Sequence, residues 1–186
     1  MTYVLIAVAV VLLLIVFFVV GFNRLREQDV GAQEALGGID VQLTRRAELI
    51  PNLVQTVKGY AAHESAVFDE VTQARAGVTA AAAGDSVPAK AAADAALQQA
   101  LVKVNAVAEA YPDLKADANF RDLQSQLAKT EDQIAFARQY YNDATAQLNQ
   151  SVRTIPWMFF SGVAGVKERE FYDAPAEHTA APGVEF

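Results

Sequence analysis

The sequence predicts an all-α protein: an N-terminal transmembrane helix followed by an antiparallel up-and-down helical bundle of long helices. Three observations carry that expectation. Tyr3 to Val20 holds no charged or strongly polar side chain. Beyond it, apolar residues recur at steps of three and four, and Gly and Pro cluster at few places. No alternating pattern of the kind a half-buried strand needs competes with that period.

At ~1.5 Å rise per residue the first apolar run makes a helix ~27–30 Å long, about the thickness of a bilayer's hydrocarbon core. A cleaved signal peptide is the rival reading. It would open on Lys or Arg and close on a small-x-small site. Here Met1-Thr2 carries no side-chain cation, and the exit reads Val19-Val20-Gly21-Phe22-Asn23. Residues 1–22 therefore read as an uncleaved anchor with the lipid bilayer as its partner. Arg24 and Arg26 follow the span and no Lys or Arg precedes it. Because such cations stay on the cytoplasmic side, the expected topology is single-pass with the N-terminus out and the bundle in the cytoplasm.

After the anchor ~165 residues remain, enough for one domain with a real core. The net charge of −7 argues against nucleic acid, whose binding needs a cationic face. With no cysteine, disulfides, thiolate zinc sites and a Cys nucleophile are excluded.

Residues 23–156 carry the bundle. The first soluble stretch runs from about Arg24 to Ala82, with Ile39, Leu43, Ile50, Leu53, Val57, Tyr60, Val67, Val71, Ala74 and Val78 in phase. Such a seven-residue repeat marks helices packed at a shallow left-handed angle. Pro51 lies inside the phase; it removes one backbone hydrogen bond and predicts a kink in a continuous helix, a full reversal there being the alternative. Gly84-Asp85 makes a turn, Ser86 an N-cap, and Pro88 sits in the first turn of a second helix. That helix reaches Tyr111 and Pro112 stops it. A third runs from about Asn119 to Ile155 on Phe120, Leu123, Leu127, Ile134, Ala137, Tyr141, Leu148 and Val152, and Pro156 ends it. Residues 157–186 read as an apolar segment, too short to span a membrane, and an extended C-terminal tail.

Chemistry is sparse. His63-Glu64 matches the first half of His-Glu-x-x-His, but position 67 is Val67 and the other histidine is His178. The acids Glu109, Asp113, Asp117 and Asp122 lack the glycine-bearing loop of a cation site and read as helix ends and caps. Arg46 and Glu64 fall on the apolar stripe. Each either bends out to water or finds a partner on another helix and fixes register.

The run Ile39-Asp40-Val41-Gln42-Leu43-Thr44-Arg45-Arg46-Ala47-Glu48-Leu49-Ile50-Pro51-Asn52-Leu53-Val54, followed by Thr56-Val57-Lys58-Gly59-Tyr60-Ala61, resembles the signature of the LemA family. So do His63-Glu64, Ala106 to Lys115, Asn119-Phe120, Thr130-Glu131 and Tyr141-Asn142. The resemblance covers the chain from the anchor to about Pro156. It implies a bacterial protein of the cell (inner) membrane with one N-terminal span and an up-and-down bundle. It supplies no catalytic residues. Arg45, Arg46, Asn52, Lys58, Tyr60, His63 and Glu64 are the recurring polar positions it offers for a shared surface.

Helix lengths add an expectation of self-assembly. A first helix of ~85–90 Å would outreach a second of ~39 Å. Leu36, Ile39, Leu43, Ile50 and Leu53 would then form an uncovered stripe beside the membrane, a partner site by default. The expected interaction surface is thus Ile39, Leu43, Arg45, Arg46, Ile50, Asn52, Lys58, Tyr60, His63 and Glu64, and the expected partner a second copy or another membrane protein. No catalytic, cofactor or metal residue is expected. The function expected is a non-enzymatic membrane-anchored scaffold or adaptor of the bacterial cell envelope. The alternative is a regulatory subunit of a membrane metallopeptidase or other envelope-stress enzyme.

Overall fold

A computed structural model describes residues 1–61 and 63–172. Among them are six helices and no strand: α1 Thr2–Lys58, α2 Ser65–Ala82, α3 Val87–Ala110, α4 Pro112–Ala116, α5 Ala118–Arg153 and α6 Met158–Ala164. Residues 173–186, with His178 and most of the expected tail, lie outside the described residues. The chain divides into two compact units, Met1–Leu36 with Gln139–Phe171, and Gly37–Arg138 with the segment from Tyr172.

The second unit is an up-down-up-down bundle of α1, α2, α3 and α5. Paired contacts fix its directions. Lys58 lies over the Phe68 ring, and the Arg75 guanidinium donates to the Ala47 carbonyl at 3.0 Å, so α2 runs back along α1. Lys90 reaches the carbonyls of Ala81 and Ala82, and Lys103 pairs with Glu70, so α3 returns along α2. Gln124 donates to Asn105, and Arg138 pairs with Asp94, so α5 descends along α3.

α3, the second helix of the sequence reading, begins and ends as the sequence predicts. The Ser86 hydroxyl caps it by accepting from the Ala89 N–H at 3.3 Å, with Pro88 in its first turn. At the far end Pro112 opens the one-turn helix α4, and Asp117 caps α5 by accepting from the Phe120 N–H at 2.9 Å.

The first stretch differs from expectation. It does not continue to Ala82, and it does not reverse at Pro51, through which α1 passes as helix. The break comes at Gly59–Glu64. There the N–H groups of Gly59 and Tyr60 switch to the carbonyls three residues back, Thr56 and Val57, tightening and ending the helix. Gly59 is a weak helix former, and the polar His63-Glu64 sits where α2 starts anew.

This reversal removes the premise of an uncovered stripe. With α2 and α3 lying along α1, Ile39, Leu43 and Leu53 are wholly buried and Ile50 is 1% exposed. Val57, Phe68, Val71, Val78, Leu97, Val104, Leu127 and Ile134 are buried in the same bundle.

In the first unit, residues 2–20 of α1 are exposed throughout. From Gly21 onward α1 packs: Leu25, Ala32, Leu148, Phe160, Ala164 and Val166 form one core cluster, with Phe22, Ala144, Val152 and Trp157 against it. α6 ends on Gly165, whose φ of 66° is the left-handed value a glycine adopts without a Cβ clash. After it the chain lies against α5. The Asn149 side chain donates to the Arg169 carbonyl and accepts from its N–H, both at 2.9 Å. Tyr141 donates its hydroxyl to the Glu170 carbonyl at 2.7 Å. The Arg169 guanidinium holds Asp29 and Gln33 of α1.

Candidate functional site

The densest chemistry in the described bundle is a buried set of ion pairs. Val87, Lys90, Asp94, Leu97, Leu101, Val104 and Ala108 follow one another at steps of three and four on α3, and all are buried. Lys90 and Asp94 therefore occupy core positions and need partners there. Asp94, with no exposed surface, sits between two cations: Arg46 of α1 at 3.0 Å and Arg138 of α5. Arg46, 4% exposed, also lies 2.8 Å from Glu131 of α5. That contact is an ion pair without hydrogen-bond geometry. The Tyr172 hydroxyl approaches Asp94 at 3.4 Å, and the Arg138 guanidinium stacks 5.2 Å from the Tyr172 ring.

One turn away Lys90, also fully buried, pairs with Asp40 of α1 and donates to Ala81 and Ala82 at the end of α2. A lysine has three donors, and these partners use them on two neighbouring helices. The two clusters together tie α1, α2, α3, α5 and the segment at Tyr172.

Electrostatics follow from this packing. Burial pushes the Asp40 carboxyl up, against the pull of Lys90. Burial works against the charge of Arg138, but Asp94 beside it outweighs that and holds its pKa above the ordinary value. The Tyr172 phenol is pushed far up by burial first and by the Asp94 carboxylate second. Such groups are held ionised or neutral by fixed partners rather than poised to exchange protons with a substrate.

A second polar contact closes the opposite end of the bundle. The Tyr60 hydroxyl, in the α1–α2 turn, donates to Asp117 at 3.0 Å. This bond raises the Tyr60 pKa. Asp117 is lowered, chiefly by the Phe120 N–H that it caps. The neighbouring acids do the work of helix ends: Glu109 pairs with Lys115, and Asp122 accepts from Gln126.

The structure separates the residues expected to form one surface. Ile39, Leu43, Ile50 and Arg46 are core. Arg45, Asn52, Lys58, Tyr60 and His63 are exposed, and Glu64 is half-buried with its carbonyl accepting from Val67 and Phe68 at the start of α2. Of the two readings of Arg46, the buried polar contact is the one found. Sequence reasoning missed Asp40, Lys90, Asp94, Glu131, Arg138 and Tyr172. The signal was present for three of them: Lys90 and Asp94 continue the Leu97–Leu101 phase backward, and Arg138 follows Ile134 by four.

Three known proteins are similar to this chain in sequence. Magnetosome proteins MamQ 2 and MamQ 1 of Paramagnetospirillum magneticum are each 26% identical over an aligned 182 residues, covering 85% of this chain and 67% of the relative. Magnetosome protein MamQ of Magnetospirillum gryphiswaldense is 26% identical over 172 residues, covering 80% of this chain and 63% of the relative. The chain thus spans about two thirds of the length of these relatives. The LemA family model matches residues 35–186, most of the sequence including the whole four-helix unit, and the chain belongs to the LemA family.

Proposed function

We propose that this membrane-associated chain is a non-enzymatic scaffold or adaptor of the bacterial cell envelope, which presents a helical bundle to copies of itself or to other membrane proteins. One observation carries the reading: α1 is a single helix in which residues 3–20 are apolar and exposed and the stripe from Ile39 to Val57 is bundle core. Anchor and scaffold are one element. The charged side chains inside the bundle support it, since they are committed to one another across helices. The relatives, named for a cell structure rather than for a reaction, add to it.

The finer topology is single-pass in the inner membrane, N-terminus out and bundle in the cytoplasm, from the arginines that follow the span. The contact surface is the exposed side of the bundle, because its apolar stripe is internal. Phe136 on α5, 75% exposed, Val41 on α1, 63% exposed, and Val102 on α3, 62% exposed, are among the large apolar side chains it offers there. The test is isolation of the tagged full chain from gently solubilised membranes, with crosslinking through Phe136→Cys in this cysteine-free sequence. Self-crosslinked species or several membrane-protein partners are the expected result. One dominant partner carrying a metal motif would replace this reading with a regulatory subunit of a metallopeptidase, and a monomer with no partner would end it.

A further inference from the structure

We propose that α6 is a second membrane contact, a short helix lying in the bilayer interface with Phe159 and Val163 turned into lipid. The inference rests on the reading of residues 3–20 as a membrane span and adds to it an element that does not itself cross.

α6 is apolar on two neighbouring faces, about 100° apart around its axis. Phe160 and Ala164 are packed against α1 and α5 in the core of their unit. Phe159 and Val163, one residue before each, are 68% and 66% exposed, and Met158 is partly exposed beside them. Phe159 and Val163 are four apart on one helical face, so they form a patch rather than isolated surface residues. A helix apolar all round is normally covered on every side. No charged side chain stands between Arg153 and Lys167 that would keep this stretch in water.

The occupant is identified by what the buried face touches. The Phe160 ring meets Phe17 and Phe18, both inside the apolar span, with centroids 5.5 and 5.6 Å away. Trp157 stacks on Phe17 at 6.1 Å. The contact is close by construction: a Cβ added at Gly21 would stand 2.7 Å from the Phe160 ring, so glycine lets α6 sit against the helix exit. α6 is therefore level with the last turns of the span, whose side chains through Val20 are themselves exposed. The Arg24 guanidinium lies 5.1 Å from the centre of the Trp157 ring. A tryptophan with a cation on its face is the pairing expected where acyl chains give way to headgroups. Helices that lie in the interface bury an apolar face at the headgroup–acyl boundary, and cations that flank them meet anionic headgroups.

The test uses the full chain in vesicles of phosphatidylcholine and phosphatidylglycerol. Nitroxides are attached one at a time at Phe159→Cys, Val163→Cys, Leu12→Cys in the anchor and Val102→Cys on the exposed face of α3. Collision rates are read with oxygen, which concentrates in lipid, and with an aqueous nickel chelate. The expected result is a ratio of oxygen to nickel collisions severalfold higher at positions 159, 163 and 12 than at 102. Nickel-dominated collisions at 159 and 163 with oxygen-dominated ones at 12 would overturn the inference and leave the anchor standing. Low rates with both reagents at 159 and 163 would mean that protein covers the patch, and would overturn it too. A nickel-dominated signal at 12 would overturn the anchor reading and this inference with it.

Discussion

Asp94 is where one side chain decides most. It is wholly buried and faces two guanidinium groups, so its removal leaves both without their shared anion. Breaking a buried pair by removing one partner costs about 3–5 kcal/mol, and Asp94→Ala should lie at or above the top of that range. Arg46→Met should cost less, because Asp94 keeps Arg138 and methionine fills much of the space. Urea midpoints of the full chain in mild detergent check the order; equal, small losses would contradict it. Arg46 was legible as a charge in phase with the stripe. Its partner was not, because the choice between a buried pair and an escape to water depends on which helix faces it. Tyr172 gives a pH test. Its phenol is raised in the folded chain, so its contribution is complete below pH 10, the ordinary tyrosine value, and is lost as pH climbs toward the folded value. Stability should therefore fall more steeply above pH 10 in the parent than in Tyr172→Phe. Parallel slopes would show that the proton is not held as the packing implies.

At the scale of elements, α1 and α2 show how a sequence pattern can be right in period and wrong in path. A step of three or four survives a reversal when both arms turn their apolar face to the same core. Val57, Val71 and Val78 of the predicted series are buried although the chain turns between Lys58 and Ser65. Tyr60 is exposed and Val67 half-buried beside the turn, where Phe68 takes the core position. Pro51 is the stronger helix breaker by residue type, yet α1 passes through it and ends beside the weaker breaker Gly59. The caps at Ser86 and Asp117 and the stop at Pro112 are local chemistry. For that reason α3 could be read from its own residues to within a residue or two, whereas the α1–α2 turn needed the rest of the bundle. Leu43→Ala and Leu127→Ala should each destabilise by about 2–4 kcal/mol, as truncations of buried leucines do. Gly38→Ala should do the opposite. Gly38 is exposed in mid-helix with nothing within 4 Å of an added Cβ, so alanine should gain roughly 0.5–1 kcal/mol. Thermal melts of the three variants read both signs; a loss at Gly38→Ala would contradict an undistorted helix there.

For the whole molecule, membrane attachment was plain from composition, since a run of apolar residues of bilayer length needs no tertiary context to be recognised. The interaction surface was not, because the sequence could not say which parts of the stripe would be covered by the chain itself. Topology carries its own prediction. A cysteine at Ser86, in the exposed α2–α3 turn, should resist a membrane-impermeant thiol reagent on intact cells and react after permeabilisation. Labelling on intact cells would place the bundle outside. The central claim, that one helix is both anchor and bundle core, is tested most directly by scanning single cysteines along α1 from Leu5 to Val57 in the reconstituted full chain. Rates with a water-soluble maleimide should show a continuous protected block through about Val20. Beyond Arg24 protection should recur every three to four residues, with Leu43 and Ile50 slow and Val41 and Arg45 fast. Reaction at Leu12 as fast as at Val41, or uniform reactivity from Ile39 to Leu53, would contradict it.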